Sequence, residues 1–469
     1  MTNLIVELSK YLIIILFAGY TYECFSVLGK RKSPQVQERI FGRQTALMFL
    51  LHLNAFAVMY AVTKESSLLI FYLMQVLLVI VVLNCYHIFY PSSSRLVVNN
   101  MCMLLLVGFI ILTRLNQERA MKQFLITAAS IVITLIIPLL IRKIKFFQKL
   151  TWLYAAVGII LLAIVAVFGS TSYGAKLSFT VAGITVQPSE FIKILFVFFA
   201  AARLSASTAF RDVVITSGVA AVHVLILVAS RDLGGALLFF VVYLAMLYVA
   251  TKRLAYLFAG LAGGSAAAFV AYQLFSHVRV RVLAWKAPLS VINNEGYQIC
   301  QSLFAIGTGG FFGLGLYQGM PNRIPVVEED FVFAAISEEM GILFALCLIL
   351  VCASCFLMFL NIAMQIKNTF FKLVALGLGT VYGFQVFLTI GGVTKFIPST
   401  GVTLPLVSYG GSSVLSTLIL FGIIQGLYIL REDEGVIHER KAKSSGKQKT
   451  ANRKKKETAF DARFENFDE

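Results

Sequence analysis

The chain is dominated by long continuous runs of apolar residues, separated by shorter polar segments. Thirteen of these runs are close to the length of about 17–25 residues that a membrane-spanning helix needs. This pattern predicts an all-α polytopic membrane protein with one large loop, which follows the tenth run. The runs lie near 8–28, 44–63, 67–90, 97–114, 121–141, 150–169, 188–204, 212–229, 233–250, 254–274, 338–363, 371–392 and 410–431.

The composition agrees with a membrane protein. Of the 469 residues, 59% are hydrophobic and 13% are charged, and the mean hydropathy is +0.84. Soluble globular domains average about 45–50% apolar and about 25% charged residues. The net charge of +17 comes largely from short connections and the C-terminal segment. In a membrane protein such an excess indicates orientation and contact with anionic headgroups, not nucleic-acid binding.

The sequence predicts no cofactor of the common kinds. Its seven cysteines include no two facing C-x-x-C pairs, and its five histidines show no metal-ligand spacing. The glycine-rich run 307–315 lacks the G-x-G-x-x-G spacing of a dinucleotide loop and the Lys-Ser/Thr of a P-loop. We therefore expect neither a zinc site nor an organic cofactor.

Lysine and arginine in the short loops predict the orientation of the chain, because cytoplasmic loops carry an excess of them. With thirteen spans, the basic segments that fall on one side are 29–43, 142–149, 252–253, 367–372 and 440–456. The C-terminus is then cytoplasmic. The loops that become extracytoplasmic are 170–187, 230–232, 275–337 and 393–409. Arg114, Arg119 and Lys122 argue against this orientation, because they lie on its outer face, but the other loops outvote them.

The large loop 275–337 is the first candidate for function, since membrane proteins seldom carry so long an interruption without using it. Arg279, Arg281 and Arg323 place cations there, on the predicted outer face. One interpretation is that long loops escape the positive-inside rule. The other is a site for an anionic headgroup such as a diphosphate, which arginine binds through two nitrogens.

Asp330, near the end of this loop, is the candidate catalytic residue. It follows Glu328 and Glu329 and precedes an apolar run. Such an aspartate is often an N-cap, whose side chain accepts a bond from the first helical turn. However, two adjacent carboxylates and the membrane edge both raise its pKa, as a carboxylate general base requires.

Two further polar groups border predicted spans. Gln187 precedes Glu190 and Lys193, which are three residues apart on one helical face and can pair. Ionisable groups within a span usually face a cavity or a partner, although a pair at a bilayer edge can simply neutralise itself. Asp232 either caps the next helix or pairs with an arginine of the large loop.

The segment 394–413 contains two prolines and three glycines, which indicates a structured, non-helical outer or re-entrant loop. Ser408 lies in this segment, and Gly410 and Gly411 stand at the start of the last span. Backbone N–H groups beside a helix N-terminus can bind phosphate oxygens, so these residues are candidates for substrate binding.

Taken in order, several short motifs of this chain resemble those of the SEDS family (shape, elongation, division and sporulation). The resemblance covers roughly residues 100–431. The motifs are Gln187-Pro-Ser-Glu-Phe-Ile-Lys193, Asp232-Leu-Gly234, Tyr297-Gln298, Ala305-Ile-Gly-Thr-Gly-Gly310, Asp330-Phe-Val-Phe-Ala334, Glu338-Glu-Met-Gly341 and Pro398-Ser-Thr-Gly-Val-Thr-Leu-Pro-Leu-Val-Ser-Tyr-Gly-Gly-Ser-Ser413.

The resemblance implies a peptidoglycan glycosyltransferase of the bacterial cytoplasmic membrane, serving elongation, division or sporulation. It implies lipid II and the growing undecaprenyl-diphosphate-linked glycan as substrates, and a class B penicillin-binding protein as partner. It assigns the essential acidic residue to Asp330 and places Glu190 and Lys193 near a central cavity. We expect residues 1–96 to form extra N-terminal helices, 97–431 the ten-helix catalytic core, and 432–469 a disordered basic cytoplasmic tail.

The hypothesis is that Asp330 deprotonates the 4-hydroxyl of the acceptor sugar, which attacks the anomeric carbon of the donor to give a β-1,4 bond. Outer arginines and lysines, together with a divalent cation (Mg or Mn), would stabilise the leaving diphosphate. Two alternatives stay open at this point: a polyprenyl-lipid flippase or other transporter, and a non-catalytic scaffold.

Overall fold

The computed structural model describes residues 2–29, 33–144, 146–172, 175–181 and 184–433. Most of the predicted basic tail, from residue 434 onward, lies outside the described residues. The first helices are α1 (Thr2–Leu28), α2 (Pro34–Thr63), α3 (Ser67–Phe89), α4 (Arg95–Leu115), α5 (Gln117–Thr134), α6 (Ile137–Lys143), α7 (Thr151–Phe168) and α8 (Ser189–Ala206). They are followed by α9 (Phe210–Ala229), α10 (Leu233–Thr251), α11 (Leu254–Leu274), α12 (Ser276–Lys286), α13 (Tyr297–Gly309), α14 (Val332–Gln365), α15 (Thr369–Val393) and α16 (Gly411–Asp433).

The structure confirms a multi-pass, all-α membrane protein. In the described part of the chain, twelve helical segments are long and apolar enough to cross a membrane. They correspond to twelve of the thirteen predicted spans, and α5 and α6 together form one of them. The thirteenth, 188–204, is helical as α8, but Glu190, Lys193 and Arg203 make it too charged to count by composition.

The predicted span 121–141 is interrupted. Helix α5 ends at Thr134, and α6 starts again at Ile137 with Pro138 in its first turn. Proline lacks the N–H that a continuous helix would need, so the ladder of backbone hydrogen bonds restarts there.

The three N-terminal helices pack into the same body as the rest of the chain. Phe17 of α1 packs against Phe344 of α14 with the rings tilted by 33° and 4.3 Å between their centroids. Deeper in the same interface, Asn100 of α4 accepts a hydrogen bond from Tyr20 (2.9 Å) and donates one to Ser354 of α14 (2.7 Å). Since all three polar groups are buried and partnered, they fix α1 against the core without leaving an unsatisfied donor.

The large loop is more structured than its composition suggested. It contains α12, α13 and two short 3₁₀ turns, and α14 begins at Val332, six residues before the predicted start of that span at 338. A small antiparallel meander, not predicted from the sequence, fills the loop between α7 and α8. Its strands are β1 (Ser170–Ser172), β2 (Ala175–Val181) and β3 (Ile184–Val186).

Helix α14 is broken at Gly341, whose φ of +84° and ψ of +167° are not helical. The break leaves backbone carbonyls of α14 without helical partners, and the glycine-rich run of the large loop donates hydrogen bonds to them. Leu314 and Gly315 donate to the carbonyls of Glu338 and Glu339, at 3.0 and 2.8 Å. The break therefore joins the loop to the first turns of α14, immediately after Asp330.

Candidate active site

Asp330 lies in the last turn before α14, and it does not cap that helix. The N-cap position is Phe331, which has no side-chain capping bond. The Asp330 carboxylate instead points toward the segment between α15 and α16. A Cβ built on Gly401, a residue with φ of +70°, would lie 4.0 Å from Asp330 Oδ2.

The surroundings of Asp330 suit a general base. Burial raises the pKa of its carboxyl group to about 7, and the negative charge of Glu329 adds to this effect. Its own backbone N–H and the Arg281 guanidinium act in the opposite direction. A carboxylate with a pKa near neutrality can accept a proton at neutral pH and still be regenerated.

Arg281 of α12 joins Asp330 to a second carboxylate, Asp232. Its charge acts on both groups, and its Nη1 donates to the carbonyls of Ser399 and Thr400 at 3.4 and 3.5 Å. Arg281 thus acts on Asp232 through its charge, without forming the ion pair that the sequence offered as one alternative: in the described residues, none of the ion pairs joins these two side chains. Asp232 also caps α10, because its Oδ1 accepts from the Gly235 N–H at 2.8 Å.

Burial is the main cause that raises the pKa of Asp232, and the nearby negative charge of Glu190 acts in the same sense. The start of α10 presses against the Asp330 neighbourhood. A Cβ on Gly234 would come within 2.8 Å of the Thr400 carbonyl. Glycine is therefore required where α10 meets the segment between α15 and α16. This close contact keeps Asp232 on the same side of the protein as Asp330.

Glu190 and Lys193 form the ion pair that their spacing predicted. Lys193 Nζ lies 2.6 Å from Glu190 Oε2 and donates to Gln385 Oε1 of α15 at 2.8 Å. Ser416 of α16 donates to the same Glu190 oxygen at 2.9 Å. Since the Lys193 side chain is only 3% exposed, the pair and its hydrogen bonds hold three helices together below the outer loops.

Gln187 lies where the β-meander meets α8. Its backbone N–H donates to Ser412 Oγ at 3.0 Å, and its side chain donates to Ser189 Oγ at 3.2 Å. The first contact links the start of α8 to the start of α16. Gln187 is therefore positioned at the same end of the bundle as Asp330 and Asp232.

Ser408 and Gly410 have partners within the protein, which speaks against the phosphate-binding role predicted for them. Ser408 is buried, and its Oγ accepts from the Leu404 N–H at 2.8 Å. The Gly410 N–H donates to Gln123 Oε1 at 3.1 Å. These contacts hold the segment in shape. Gly411 is the first residue of α16, and a Cβ there would lie 2.8 Å from Ile126 of α5.

Arg279 and Arg323 are exposed on the large loop. Within the described residues, neither side chain makes an ion pair with a carboxylate of the protein. Their charges are thus available to a ligand outside the folded chain. Both lie on the loop that carries Asp330.

The sequence reasoning missed the partners of the arginines that had argued against the predicted orientation. Arg114 binds Glu339, and Arg119 binds Glu328 and Glu329. Gln123 and Gln385, which bridge segments of the site, were also missed. The contacts of Arg114, Arg119 and Gln123 join residues more than 200 apart in the chain, and Gln385 contacts Thr403, 18 residues on. The only signal available was the unusual placement of the arginines on the outer face.

The grouping of side chains does not fit a metal site formed by the protein alone. In the ranges that the structure describes, no three His, Cys, Asp or Glu side chains are grouped so as to hold a metal ion. What the site offers is one carboxylate with a near-neutral pKa, a second carboxylate, the Arg281 guanidinium and two exposed arginines. This set suits proton abstraction beside an anionic leaving group.

Several known proteins are similar to this chain in sequence. A family described as cell cycle protein, FtsW/RodA/SpoVE, matches residues 94–432. The peptidoglycan glycosyltransferase RodA of Mycobacterium tuberculosis is 33% identical over 328 residues, 66% of this chain and 70% of that protein. Helices α1–α3 precede the family match.

Two solved structures share the fold. One, from a study of how a peptidoglycan synthase complex coordinates polymerisation and crosslinking, has a TM-score of 0.60 at 23% identity and covers 72% of this chain and 98% of its own. The other is the rod shape determining protein RodA of Thermus thermophilus, with a TM-score of 0.55 at 22% identity, covering 72% of this chain and 97% of its own.

Proposed function

This chain belongs to the FtsW/RodA/SpoVE family of cell cycle proteins, and on that basis we propose that it polymerises lipid II into glycan strands as a peptidoglycan glycosyltransferase. One observation carries the site assignment. Asp330 is a half-buried carboxylate that does not cap α14, has a pKa of about 7 and lies within the electrostatic reach of Arg281. These are the properties expected of a general base next to an anionic substrate.

In the proposed reaction, Asp330 accepts the proton of the acceptor sugar's 4-hydroxyl as its oxygen attacks the anomeric carbon of the donor. A β-1,4 C–O bond forms with inversion. The bond between the anomeric carbon and the diphosphate oxygen breaks, and polyprenyl diphosphate leaves with the electron pair. Arg281, Arg279 and Arg323 stabilise the charge that develops on the diphosphate. No step is assigned to Mg or Mn, since these residues form no metal site by themselves.

The direct test is polymerisation of lipid II by the purified protein together with its partner, measured as glycan product length. Wild type should give polymer and Asp330→Asn none. Glu295→Gln is the matched control, because Glu295 is an exposed carboxylate on the same large loop. Equal polymer from wild type and Asp330→Asn would remove Asp330 from the chemistry. Movement of labelled lipid across vesicles without polymer would favour the flippase alternative.

The orientation is part of the proposal. Three of the predicted outer loops approach one another at one end of the bundle: Arg281 donates to the carbonyls of Ser399 and Thr400, and a Cβ on Gly234, two residues after Asp232, would lie 2.8 Å from the Thr400 carbonyl oxygen. We place this end outside the cytoplasmic membrane and the C-terminus inside. In intact cells, a membrane-impermeant maleimide should label Glu295→Cys and leave Arg253→Cys, in a basic connection, unlabelled. Labelling with the opposite preference would put Asp330 on the wrong side for polymerisation.

The proposed partner is a class B penicillin-binding protein, and we propose that a membrane-spanning helix of this partner makes the contact. An apolar groove of about 510 Å³ runs between α14 and α15. Ala353, Thr380 and Gly383 line it, and small residues like these let another helix approach closely. Co-purification should be weakened by Ala353→Phe, which fills the groove, and not by Leu357→Phe, four residues on and outside the lining. Equal amounts of partner recovered with both variants would contradict this groove as the partner's binding site.

A further inference from the structure

The first two turns of α5 contact both segments that surround Asp330. The helix is capped by Asn116, whose Oδ1 accepts from the Arg119 N–H at 3.0 Å. Arg119 and Gln123 are four residues apart and therefore lie on the same face. Neither Arg119 nor Gln123 lies in the large loop, and neither contacts the Glu190–Lys193 pair.

Arg119 binds the two residues that precede Asp330. Its Nη1 lies 2.8 Å from Glu328 Oε1 and 3.5 Å from Glu329 Oε1. The guanidinium also lies over the ring of Tyr409, 5.4 Å from the centroid. The Tyr409 N–H in turn donates to the Glu328 carbonyl at 2.7 Å. Glu328 is thus held through both its side chain and its backbone.

Gln123 binds the second segment in the same manner. Its Nε2 donates to the Ser408 carbonyl at 3.1 Å, and its Oε1 accepts from the Gly410 N–H at 3.1 Å. The same segment contributes Gly401, beside Asp330 Oδ2. One face of α5 therefore fixes the backbone on both sides of the carboxylate.

We propose that Arg119 is a positioning residue for Asp330: by holding Glu328 and Glu329 it places the Asp330 carboxylate toward the acceptor sugar. This inference rests on the proposed function and deepens it. The Arg119 side chain is 38% exposed, and those of Glu328 and Glu329 are 15% and 36% exposed. Because the cation and one of its two partners are open to water, these ion pairs contribute only modestly to folding. The contact therefore acts mainly by fixing the position of the backbone of residues 328–330.

The charges that act on the site give a second readout. Asp330 faces Glu329 from its own segment and Arg281 from α12, and Arg119 offsets the charges of Glu328 and Glu329. Removing Arg119 makes the field at Asp330 more negative. The pH at which polymerisation reaches half its maximum should therefore rise.

The test compares Arg119→Gln with Lys122→Gln in steady-state polymerisation of lipid II by the complete complex. Lys122 is a cation on the same helix and pairs only with Glu118, one turn before it, among the described residues. Arg119→Gln should lower kcat roughly ten- to a hundredfold, with little change in KM, because small misplacements of a catalytic group cost this much. Its pH midpoint should rise, and Lys122→Gln should match wild type in both respects.

A charge exchange separates positioning from simple loss of folding. Arg119→Glu alone should lose activity, and Arg119→Glu combined with Glu328→Arg should recover part of it, because the pair is restored with its signs reversed. A double variant as inactive as the single one, or Arg119→Gln with wild-type kcat and pH midpoint, would overturn the proposal. If Asp330→Asn polymerised normally, the assignment of Asp330 as the base would fail; if the wild-type complex gave no polymer, the proposed function itself would fail, whatever Arg119 did.

Discussion

Arg114 of α4 holds Glu339 of α14 with two of its nitrogens. Nε lies 2.9 and 3.1 Å from the two carboxylate oxygens, and Nη2 lies 2.7 Å from Oε1. The Glu339 side chain is fully buried and that of Arg114 is 11% exposed. Arg114 also donates to the Gly319 carbonyl and stacks on Tyr317 at 4.3 Å. The pair thus joins α4, the large loop and the start of α14.

Breaking this pair from one side should be costly. Arg114→Gln leaves the buried Glu339 carboxylate without its cation, and such a loss destabilises proteins by about 3–5 kcal/mol. The expected result is a clearly lower melting temperature in detergent. Lys122→Gln, which removes an exposed i,i+4 pair, should melt close to wild type. If both variants melted like wild type, the Arg114–Glu339 pair would not contribute to stability.

Much of the fold followed from local sequence, and the site did so only in part. Continuous apolar runs are enough to predict spans, because lipid-facing and buried helix faces are both apolar. The early start of α14 was missed because its first turns, Val332–Ser337, were assigned to the large loop. Glu338 and Glu339, at the start of the span predicted from the sequence, instead lie inside the helix. The charged partners of Arg114 and Arg119 lie more than 200 residues away in sequence, a distance that no local pattern spans.

Gly341 is required at the break of α14. An alanine there would need the left-handed φ of +84°, and its Cβ would lie 2.4 Å from the Gly313 backbone nitrogen. Both effects destabilise the break that follows Asp330, and the affected backbone cannot move without disturbing the large loop. Gly341→Ala should therefore abolish polymerisation or prevent folding.

The matched control is Gly307→Ala, in the helical and exposed part of α13, where a Cβ meets nothing within 4 Å. This variant should fold and polymerise like wild type. Normal product from Gly341→Ala, measured under the same conditions, would show that the loop and the break are not coupled.

The pH dependence of polymerisation should report Asp330. The base acts only when deprotonated, and its pKa is raised to about 7. Activity should accordingly be full at higher pH and fall about tenfold per unit once the pH is below the pKa. Glu329→Gln removes a negative charge that raises the pKa of Asp330, so the midpoint should move to lower pH. A midpoint near the ordinary carboxyl value in wild type, or no shift in Glu329→Gln, would contradict the assignment.

The buried Glu190–Lys193 pair allows folding and function to be separated. Lys193→Met removes the cation that Glu190 and Gln385 both bind, which should cost several kcal/mol because a carboxylate is left unpaired. Adding Glu190→Gln removes that charge and should restore much of the melting temperature. If the pair also serves the substrate, the double variant stays inactive although it is folded, whereas a purely structural pair would give back polymerisation together with stability. Product length and melting temperature measured on the same preparations distinguish these two results.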